Sequence, residues 1–231
     1  WYFHYQPTDW QIGNYQLGTR DEFKSMCDEA KKYNITVIVD VLPNHTTPVT
    51  KYTRPELAHL FSVVGGEDKL YHANGFNLIS KWDDRYECTT GEMGGLPDVN
   101  TENPDFQAYY MQFVNDAIDC GAGGFRYDTG RHIGMPDEPK DKKSEVNNFW
   151  PVFTGKEPIR GVMLKDADNL FIYGEVIQMS NAREGEYAKW MRVTASQYGD
   201  KLRLHVRYRN LTATELAGWD HPAPGSRLVT W

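Results

Sequence analysis

The amino-acid sequence predicts an α/β fold built around a parallel sheet. Short runs rich in β-branched and aromatic residues alternate with segments whose apolar residues recur at helical spacing. Strands that alternate with helices usually pair in parallel, and the sheet is then either open or closed into a barrel. The clearest runs also end in charged or amide side chains, which is typical of parallel sheets with a site at their carboxyl ends.

The first helix is predicted to begin after Thr19. Thr19 and Glu22 have the spacing of a capping box, in which each side chain satisfies an unpaired amide at the start of a helix. An apolar stripe follows and ends near Asn34. The run ITVIVDVL at residues 35–42 is continuous and β-branched, so it predicts a parallel strand covered on both faces. The stripe consists of Phe23, Met26, Cys27 and Ala30.

A second helix is predicted between Asn103, a suitable cap, and Gly121. Pro104 suits its first position, and an apolar stripe recurs at helical spacing along it. The stripe consists of Phe106, Tyr110, Phe113, Ala117 and Ile118. The strands predicted after it are residues 123–128, residues 170–176, a weaker one from Trp190, and a last one at residues 227–231, while residues 197–207 are an ambiguous helix.

Residues 45–96 interrupt the alternation of helices and strands. They are rich in Gly, Pro, Asp and Tyr and show no clear periodicity. A segment of this length is too long for a plain loop, so it predicts a small inserted subdomain.

Composition argues against two classes of partner. The net charge of −7 disfavours a nucleic acid held through its phosphates, and no apolar run approaches the roughly 20 residues of a membrane span. We expect a soluble chain, without a signal peptide, that is a piece of a longer protein, because residue 1 is not methionine and tryptophan stands at both ends. The three cysteines are too widely spaced for a disulfide framework or a zinc cluster. They are Cys27, Cys88 and Cys120.

Charged side chains at the ends of three predicted strands are expected to converge. The first strand ends with Asp40, Asn44 and His45, the second with Arg126 and Asp128, and the third with Glu175. Arg126 and Asp128 lie two residues apart on one side of a strand and can compensate each other; a purely structural ion pair is the alternative.

Two carboxylates that face each other suit acid/base or nucleophilic work on a glycosidic bond. Asp128 would attack and must stay ionised, which Arg126 favours. Glu175 would donate a proton and needs a raised pKa, to which its apolar neighbour Val176 contributes.

Four short motifs resemble, in order along the chain, conserved segments of the α-amylase superfamily of retaining glycoside hydrolases. They are DVLPNH at 40–45, LPDVN at 96–100, GFRYDTGRH at 124–132 and GEV at 174–176. The resemblance implies a fragment of a (β/α)8 TIM barrel with a small B domain inserted after the third barrel strand. The barrel would comprise residues 1–45 and 98–231, up to the start of the seventh strand, and the B domain residues 46–97.

The resemblance also implies roles for individual residues. Asp128 would be the nucleophile and Glu175 the general acid/base, with Arg126 holding Asp128 charged and oriented. His45 would hydrogen-bond the sugar at the cleavage point. Arg131, which replaces a usual lysine, and His132 would contact the glucose on the leaving side. The arginine keeps the charge but changes the hydrogen-bond geometry.

The opening WYFHYQP is similar to an aromatic segment of animal-type amylases and their bacterial relatives. By that similarity Tyr5 stacks on the sugar, with Trp1, Tyr2 and Gln6 nearby. The alternative is that these aromatic residues belong to the core.

A calcium ion is implied by the same resemblance. Its ligands would be Asn44, Asp98 and the backbone carbonyl of His132, with a further carbonyl near Thr89 indicated by spacing alone. Hard oxygen donors suit Ca²⁺. Without the resemblance, Asn44 is a cap or turn residue and Asp98 a loop acid.

One family segment is missing. The superfamily has a third essential carboxylate in a His-Asp pair on the seventh strand, whereas this chain contains only the reverse order, Asp220-His221. We interpret the loss, and that of the first two barrel strands, as truncation, and expect the isolated chain to be weakly active or inactive.

The function that the resemblance implies is endo-hydrolysis of α-1,4-glucosidic bonds in starch or malto-oligosaccharides, with retention of configuration, by a secreted, extracellular monomer. Two alternatives stay open. One is a glucan transglycosylase or a cyclodextrin-degrading relative. The other is a noncatalytic glucan-binding member of the fold.

Overall fold

The computed structural model describes residues 2–14, 16–177, 181–195 and 203–205. Two single turns of 3-10 helix lie at Tyr2–Tyr5 and Gly130–His132. The α-helices are α1 (Arg20–Lys32), α2 (Arg54–Val64), α3 (Glu67–Leu70), α4 (Arg85–Thr90), α5 (Pro104–Asp119), α6 (Phe149–Phe153) and α7 (Glu184–Tyr187). The strands are β1 (Ile38–Val41), β2 (Gly124–Tyr127), β3 (Phe171–Val176), β4 (Arg192–Ala195) and β5 (Arg203–His205).

The five strands form a single sheet in chain order, from β1 to β5. The first four are parallel, and β5 pairs with β4 in the antiparallel direction. This confirms the predicted parallel sheet and the four strands predicted up to residue 195. The predicted helix at residues 197–207 is wrong where it is described, because residues 203–205 pair with β4, and pairing within a sheet overrides weak local preference. The strand predicted at residues 227–231 lies outside the described residues.

The two predicted helix starts are confirmed by their caps. In α1 the Thr19 hydroxyl accepts from the Glu22 amide at 3.2 Å, and the Glu22 carboxylate accepts from the Thr19 amide at 2.7 Å. In α5 the Asn103 side chain accepts from the amides of Asp105 and Phe106 at 2.8 and 3.2 Å. Both helices therefore begin where the sequence indicates.

Helix α5 covers the sheet with its apolar face. Phe106, Tyr110 and Val114 are buried, and Trp10 packs edge-on against the first two with ring centroids 5.1 and 5.7 Å apart. Phe149 and Trp150 of α6 extend this core to Tyr127 of β2. This packing of α5 and α6 positions the carboxyl ends of the strands, and so positions the polar residues at those ends.

Residues 46–97 are not the aperiodic segment that the sequence indicated. They contain α2, α3 and α4, and α2 buries Leu57, Leu60 and Val64 at helical spacing before ending at Gly65, which has φ 79°. The segment also pairs with the chain beyond it through isolated bridges, His45 with Asp98 and Tyr71 with Val99. The three apolar residues of α2 were the available signal in the sequence.

No helix among the described residues is both long and apolar enough to cross a bilayer. The three cysteines are buried free thiols.

Candidate active site

Three neighbouring parallel strands deliver charged side chains to one place. Asp40 of β1 lies in register with Arg126 of β2, and Arg126 with Tyr173 of β3. Asp128 follows β2 directly, and Glu175 is the fifth residue of β3. We call Asp40, Arg126, Asp128 and Glu175 the strand-end cluster.

Arg126 binds all three carboxylates of the strand-end cluster. Its Nη1 donates to both oxygens of Asp40, at 2.8 and 3.0 Å, and to Oδ1 of Asp128 at 2.6 Å. Its Nη2 lies 3.0 Å from Oε2 of Glu175. Because the guanidinium is a small rigid plane, the contacted oxygens of Asp128 and Glu175 lie within about 8 Å of each other.

A strained turn fixes the loop after β2. Thr129 adopts a left-handed conformation, with φ 50° and ψ 31°, which is uncommon for a residue other than glycine. Its amide donates to Oε2 of Glu175 at 3.2 Å, and the amide of Asp128 donates to the carbonyl of Val41 at 2.9 Å. The turn thus ties the ends of β1, β2 and β3 together.

The electrostatics of Asp128 differ from the expectation that Arg126 keeps it ionised. Burial raises the pKa of Asp128 to about 7; Arg126 opposes this shift, while the negative charges of Glu175 and Asp40 reinforce it. Burial also raises the pKa of Asp40. One guanidinium does not neutralise three carboxylates, so the cluster tends to retain a proton near neutral pH.

The N-terminal segment packs on the strand-end cluster. The Tyr5 hydroxyl donates to Oδ2 of Asp40 at 3.0 Å, and the guanidinium of Arg126 lies 6.0 Å from the centre of the Tyr5 ring. Tyr5 and Gln6 help line a cavity of about 930 Å³ that reaches Asp40. Among the other predicted members of this segment, Trp1 and the side chain of Tyr2 lie outside the described part of the chain.

His45 is buried, and its ring nitrogen Nε2 lies 2.9 Å from the carbonyl of Tyr5. Burial lowers the pKa of His45, so the ring is neutral and Nε2 carries the proton that this carbonyl accepts. A sugar hydroxyl would compete with that carbonyl for the ring.

Arg131 and His132 contact residues 82–88. Arg131 donates from Nη2 to the carbonyl of Trp82, and Nδ1 of His132 lies 2.8 Å from the carbonyl of Cys88. Burial lowers the pKa of His132 to about 3, so its ring is neutral. The predicted contact of these two side chains with the glucose on the leaving side stays a prediction.

A second arginine secures this region. Arg85 of α4 pairs with Glu138 through Nε at 2.5 Å and donates from Nη2 to the Arg131 carbonyl at 3.0 Å. The hydroxyl of Tyr187 donates to the same carbonyl at 2.9 Å. The backbone that carries Arg131 and His132 is therefore held by side chains from α4 and α7.

Two of the predicted calcium ligands, Asn44 and Asp98, lie on adjacent backbone. Asn44 and Asp98 are 1% exposed and His132 is 4% exposed. The bridge between His45 and Asp98 aligns the first two, and the Val99 amide donates to the Asn44 carbonyl at 2.8 Å. Within the described ranges, no group of three or more His, Cys, Asp or Glu residues forms a metal site. The predicted calcium ligands are one carboxylate, one side-chain amide and one backbone carbonyl, so they do not form a group of three such side chains.

Asp98 nevertheless fits a cation. Its Oδ1 is buried without a hydrogen-bond partner, and its Oδ2 lies 2.6 Å from Nδ1 of His72. Burial raises the pKa of Asp98 to about 7 even though His72 opposes the shift, so further positive charge would favour the ionised carboxylate. The ring of His72 lies between Asp98 and Glu102, and we call these three residues the His72 cluster.

Sequence reasoning missed several residues of these sites. The sequence analysis places Asp40 at a strand end without a role in the site, although Asp40 is the charged residue inside the run ITVIVDVL. A charge inside a strand buried on both faces needs a partner, and this was the available signal. His72 and Arg85 gave no comparable signal, because their partners are distant in the sequence.

A parallel sheet with carboxylates grouped at the carboxyl ends of its strands defines an α/β protein with a site at that edge. Residues 2–198 match the family model "Alpha amylase, catalytic domain", and the chain belongs to this family.

Relatives support the same conclusion. The chain is 46% identical to an α-amylase of Butyrivibrio fibrisolvens over 247 residues, covering 100% of this chain and 25% of the relative. It is 30% identical to a cyclomaltodextrin glucanotransferase of Geobacillus stearothermophilus, covering 89% of this chain and 28% of the relative. The chain thus spans about a quarter of the length of these curated relatives.

The solved structure of an Anoxybacillus α-amylase superposes with a TM-score of 0.59 at 26% identity, covering 80% of this chain and 35% of that one. The match supports a fragment of the TIM-barrel fold of this family. Neither the match nor the sheet delimits residues 46–97 as a B domain, so the three-part division stays a prediction.

Proposed function

We propose that this chain forms part of an enzyme that hydrolyses internal α-1,4-glucosidic bonds in starch and related glucans with retention of configuration. The observation that carries the proposal is the contact of Asp128 and Glu175 with one guanidinium. Retaining glycosidases hold their two carboxyl groups about 5–5.5 Å apart, and the arrangement around Arg126 is compatible with that spacing.

In the proposed first step, a carboxylate oxygen of Asp128 attacks the anomeric carbon while Glu175 gives its proton to the departing glycosidic oxygen. The products are a glycosyl ester on Asp128 and a shortened glucan. In the second step, Glu175 takes a proton from water, the water oxygen attacks the anomeric carbon, and the ester bond to Asp128 breaks.

The strand-end cluster supports the proton balance of this mechanism. The pair must hold one proton before the first step, and the raised pKa of Asp128 indicates that the pair retains one up to about neutral pH. Arg126 contacts both carboxylates, so it can stabilise whichever of them is ionised at each stage.

A transglycosylase is the second candidate. Its chemistry differs only in the acceptor of the second step, which is a sugar hydroxyl in place of water, and the 30% identity to a cyclomaltodextrin glucanotransferase favours it. Product analysis on maltoheptaose separates the two, because hydrolysis gives shorter oligosaccharides alone and transfer also gives longer or cyclic ones.

We also propose that a calcium ion is bound by the side chains of Asn44 and Asp98 and the backbone carbonyl of His132, with a contribution from the Thr89 carbonyl. The unpaired Oδ1 of Asp98 supports this set, and oxygen donors suit Ca²⁺. When bound, the ion would supply positive charge and would hold the loops after β1 and β2 to residue 98 through their oxygen ligands. Secretion as a monomer fits an enzyme whose substrate is an extracellular polymer.

The decisive test is a reducing-sugar assay on starch with a polypeptide that carries this chain, comparing the parent protein with Glu175→Gln. Loss of turnover with retained oligosaccharide binding supports the proposal, because the amide cannot donate the proton. Unchanged turnover removes Glu175 from the mechanism. Glu145→Gln is the matched control, because Glu145 is exposed and lies outside the strand-end cluster.

A further inference from the structure

His72 lies in the buried region where residues 46–97 meet the loop before α5. Its side chain is 2% exposed, and both ring nitrogens contact carboxylates: Nδ1 lies 2.6 Å from Oδ2 of Asp98, and Nε2 lies 2.7 Å from Oε2 of Glu102. Each contact needs a proton on its nitrogen, so both nitrogens are donors. The ring orientation is thereby fixed from both sides.

Glu102 is itself held in place. Its Oε1 accepts from the Thr101 hydroxyl at 2.8 Å, and the side chain of Gln107 in α5 donates to the Thr101 carbonyl at 2.9 Å. The backbone amide of His72 donates to the Asp98 carbonyl at 3.2 Å. The imidazole therefore connects the start of α5 to the carboxylate of Asp98.

The other oxygen of Asp98 has a different environment. Oδ1 is buried and has no hydrogen-bond partner, although a buried, unpaired polar atom costs about 1–3 kcal/mol. The bond from His72 to Oδ2 sets the rotation of the carboxylate, so His72 decides where Oδ1 points. An oxygen held in this way, without a donor, is prepared for a cation.

We propose that His72 is a positioning residue for a calcium ion, holding Oδ2 of Asp98 through Nδ1 so that Oδ1 faces the ion, while Glu102 fixes the far side of the ring. The inference rests on the calcium site proposed above. Hydrogen-bond partners behind metal ligands typically contribute 10–100-fold to metal affinity.

Two conservative variants separate positioning from a merely structural role. The side-chain amide nitrogen of asparagine lies near the position of Nδ1, so His72→Asn keeps a donor for Asp98. The longer glutamine places its nitrogen near Nε2, so His72→Gln keeps a donor for Glu102 only. Calcium affinity should distinguish them, because only the bond to Asp98 orients the metal ligand.

The test is isothermal titration calorimetry of CaCl₂ into the metal-stripped protein. We expect His72→Gln to weaken calcium binding about 10–100-fold and His72→Asn to restore most of that loss. Equal affinities for the two variants, whether both match the parent or both are equally weakened, overturn the role of His72. Absence of binding by the parent, or full binding by Asp98→Asn, overturns the calcium site itself.

A measurement on the unmodified protein decides the question if either variant fails to fold. In a proton–nitrogen NMR spectrum of the His72 ring, addition of CaCl₂ should shift the Nδ1–H signal more than the Nε2–H signal, because only Nδ1 bonds to the metal ligand. Calcium binding in the calorimeter without that difference contradicts the proposal.

Discussion

In the strand-end cluster one arginine contacts three carboxylates, whereas in the His72 cluster one imidazole lies between two. The strand-end side chains are 8–16% exposed, and one of them, Asp40, lines a cavity, while the side chains of the His72 cluster are 1–3% exposed. Excess negative charge with access to solvent suits groups that exchange protons. A fully enclosed cluster with one donor for each carboxylate suits fixed geometry.

Burial raises the pKa of one aspartate to about 7 in each cluster, Asp128 in the strand-end cluster and Asp98 in the His72 cluster. Burial favours the neutral form of every ionisable group. Burial also tends to lower the pKa of His72, but the hydrogen bonds and charges of Asp98 and Glu102 outweigh it and raise that pKa to about 10. In each cluster the carboxylates favour the charged form of the cation, and burial favours the neutral form of the acids.

The largest expected effect is on catalysis in the strand-end cluster. Glu175→Gln should lower starch turnover by about 10²–10⁴-fold, the usual contribution of a general acid. A steady-state assay at several pH values measures it, with Glu145→Gln expected to match the parent. Equal activity of Glu175→Gln and Glu145→Gln would show that the strand-end cluster does not supply the proton donor.

The next effect concerns the His72 cluster. Removing calcium with a chelator should lower the melting temperature. An ion that binds only the folded state adds about 2.7 kcal/mol to the free energy of unfolding when its concentration is a hundred times its Kd. Differential scanning fluorimetry with and without chelator measures the shift, and Asp98→Asn should no longer show it. An identical response from the parent and this variant would place the ion elsewhere.

A smaller effect is expected from Asp40→Asn. It removes one charge-assisted hydrogen bond to Arg126, which corresponds to about a tenfold loss in kcat. It also removes a negative charge that raises the pKa of Asp128, so the acidic limb of the kcat/KM profile should move to lower pH. A pH profile that does not move would show that Asp40 only positions Arg126 and does not affect the pKa of Asp128.

The smallest effect is on stability. The folded pKa of Asp128, about 7, exceeds the ordinary value near 3.9, so its contribution to stability is present below pH 4 and is lost as the pH rises through 7. The free energy of unfolding of Asp128→Asn, relative to the parent, should therefore be higher at pH 8 than at pH 4, because the amide carries no charge to bury. Urea denaturation at both pH values measures the difference. Asp83→Asn, at an exposed position outside both clusters, is the matched control.

Local signals predicted much of the fold. The cap of α1 at Thr19, the cap of α5 at Asn103 and the β-branched run around β1 each depend on neighbouring residues, and each lies where the sequence indicated. Helix α2 was overlooked, although its three buried residues recur at helical spacing. Residues 203–205 were assigned to a helix because their pairing partner in β4 is not visible in local sequence.

By itself, the sequence determined that Asp40, Arg126, Asp128 and Glu175 end or follow parallel strands, because hydrophobic period and strand direction are local properties of the chain. Only the tertiary structure decided how the charges are shared. The contact of Arg126 with three carboxylates, the enclosure of His72 by Asp98 and Glu102, and the turning of Arg131 and His132 toward residues 82–88 all join distant parts of the chain. The pKa of each group depends on burial and on those neighbours, and both are set by packing.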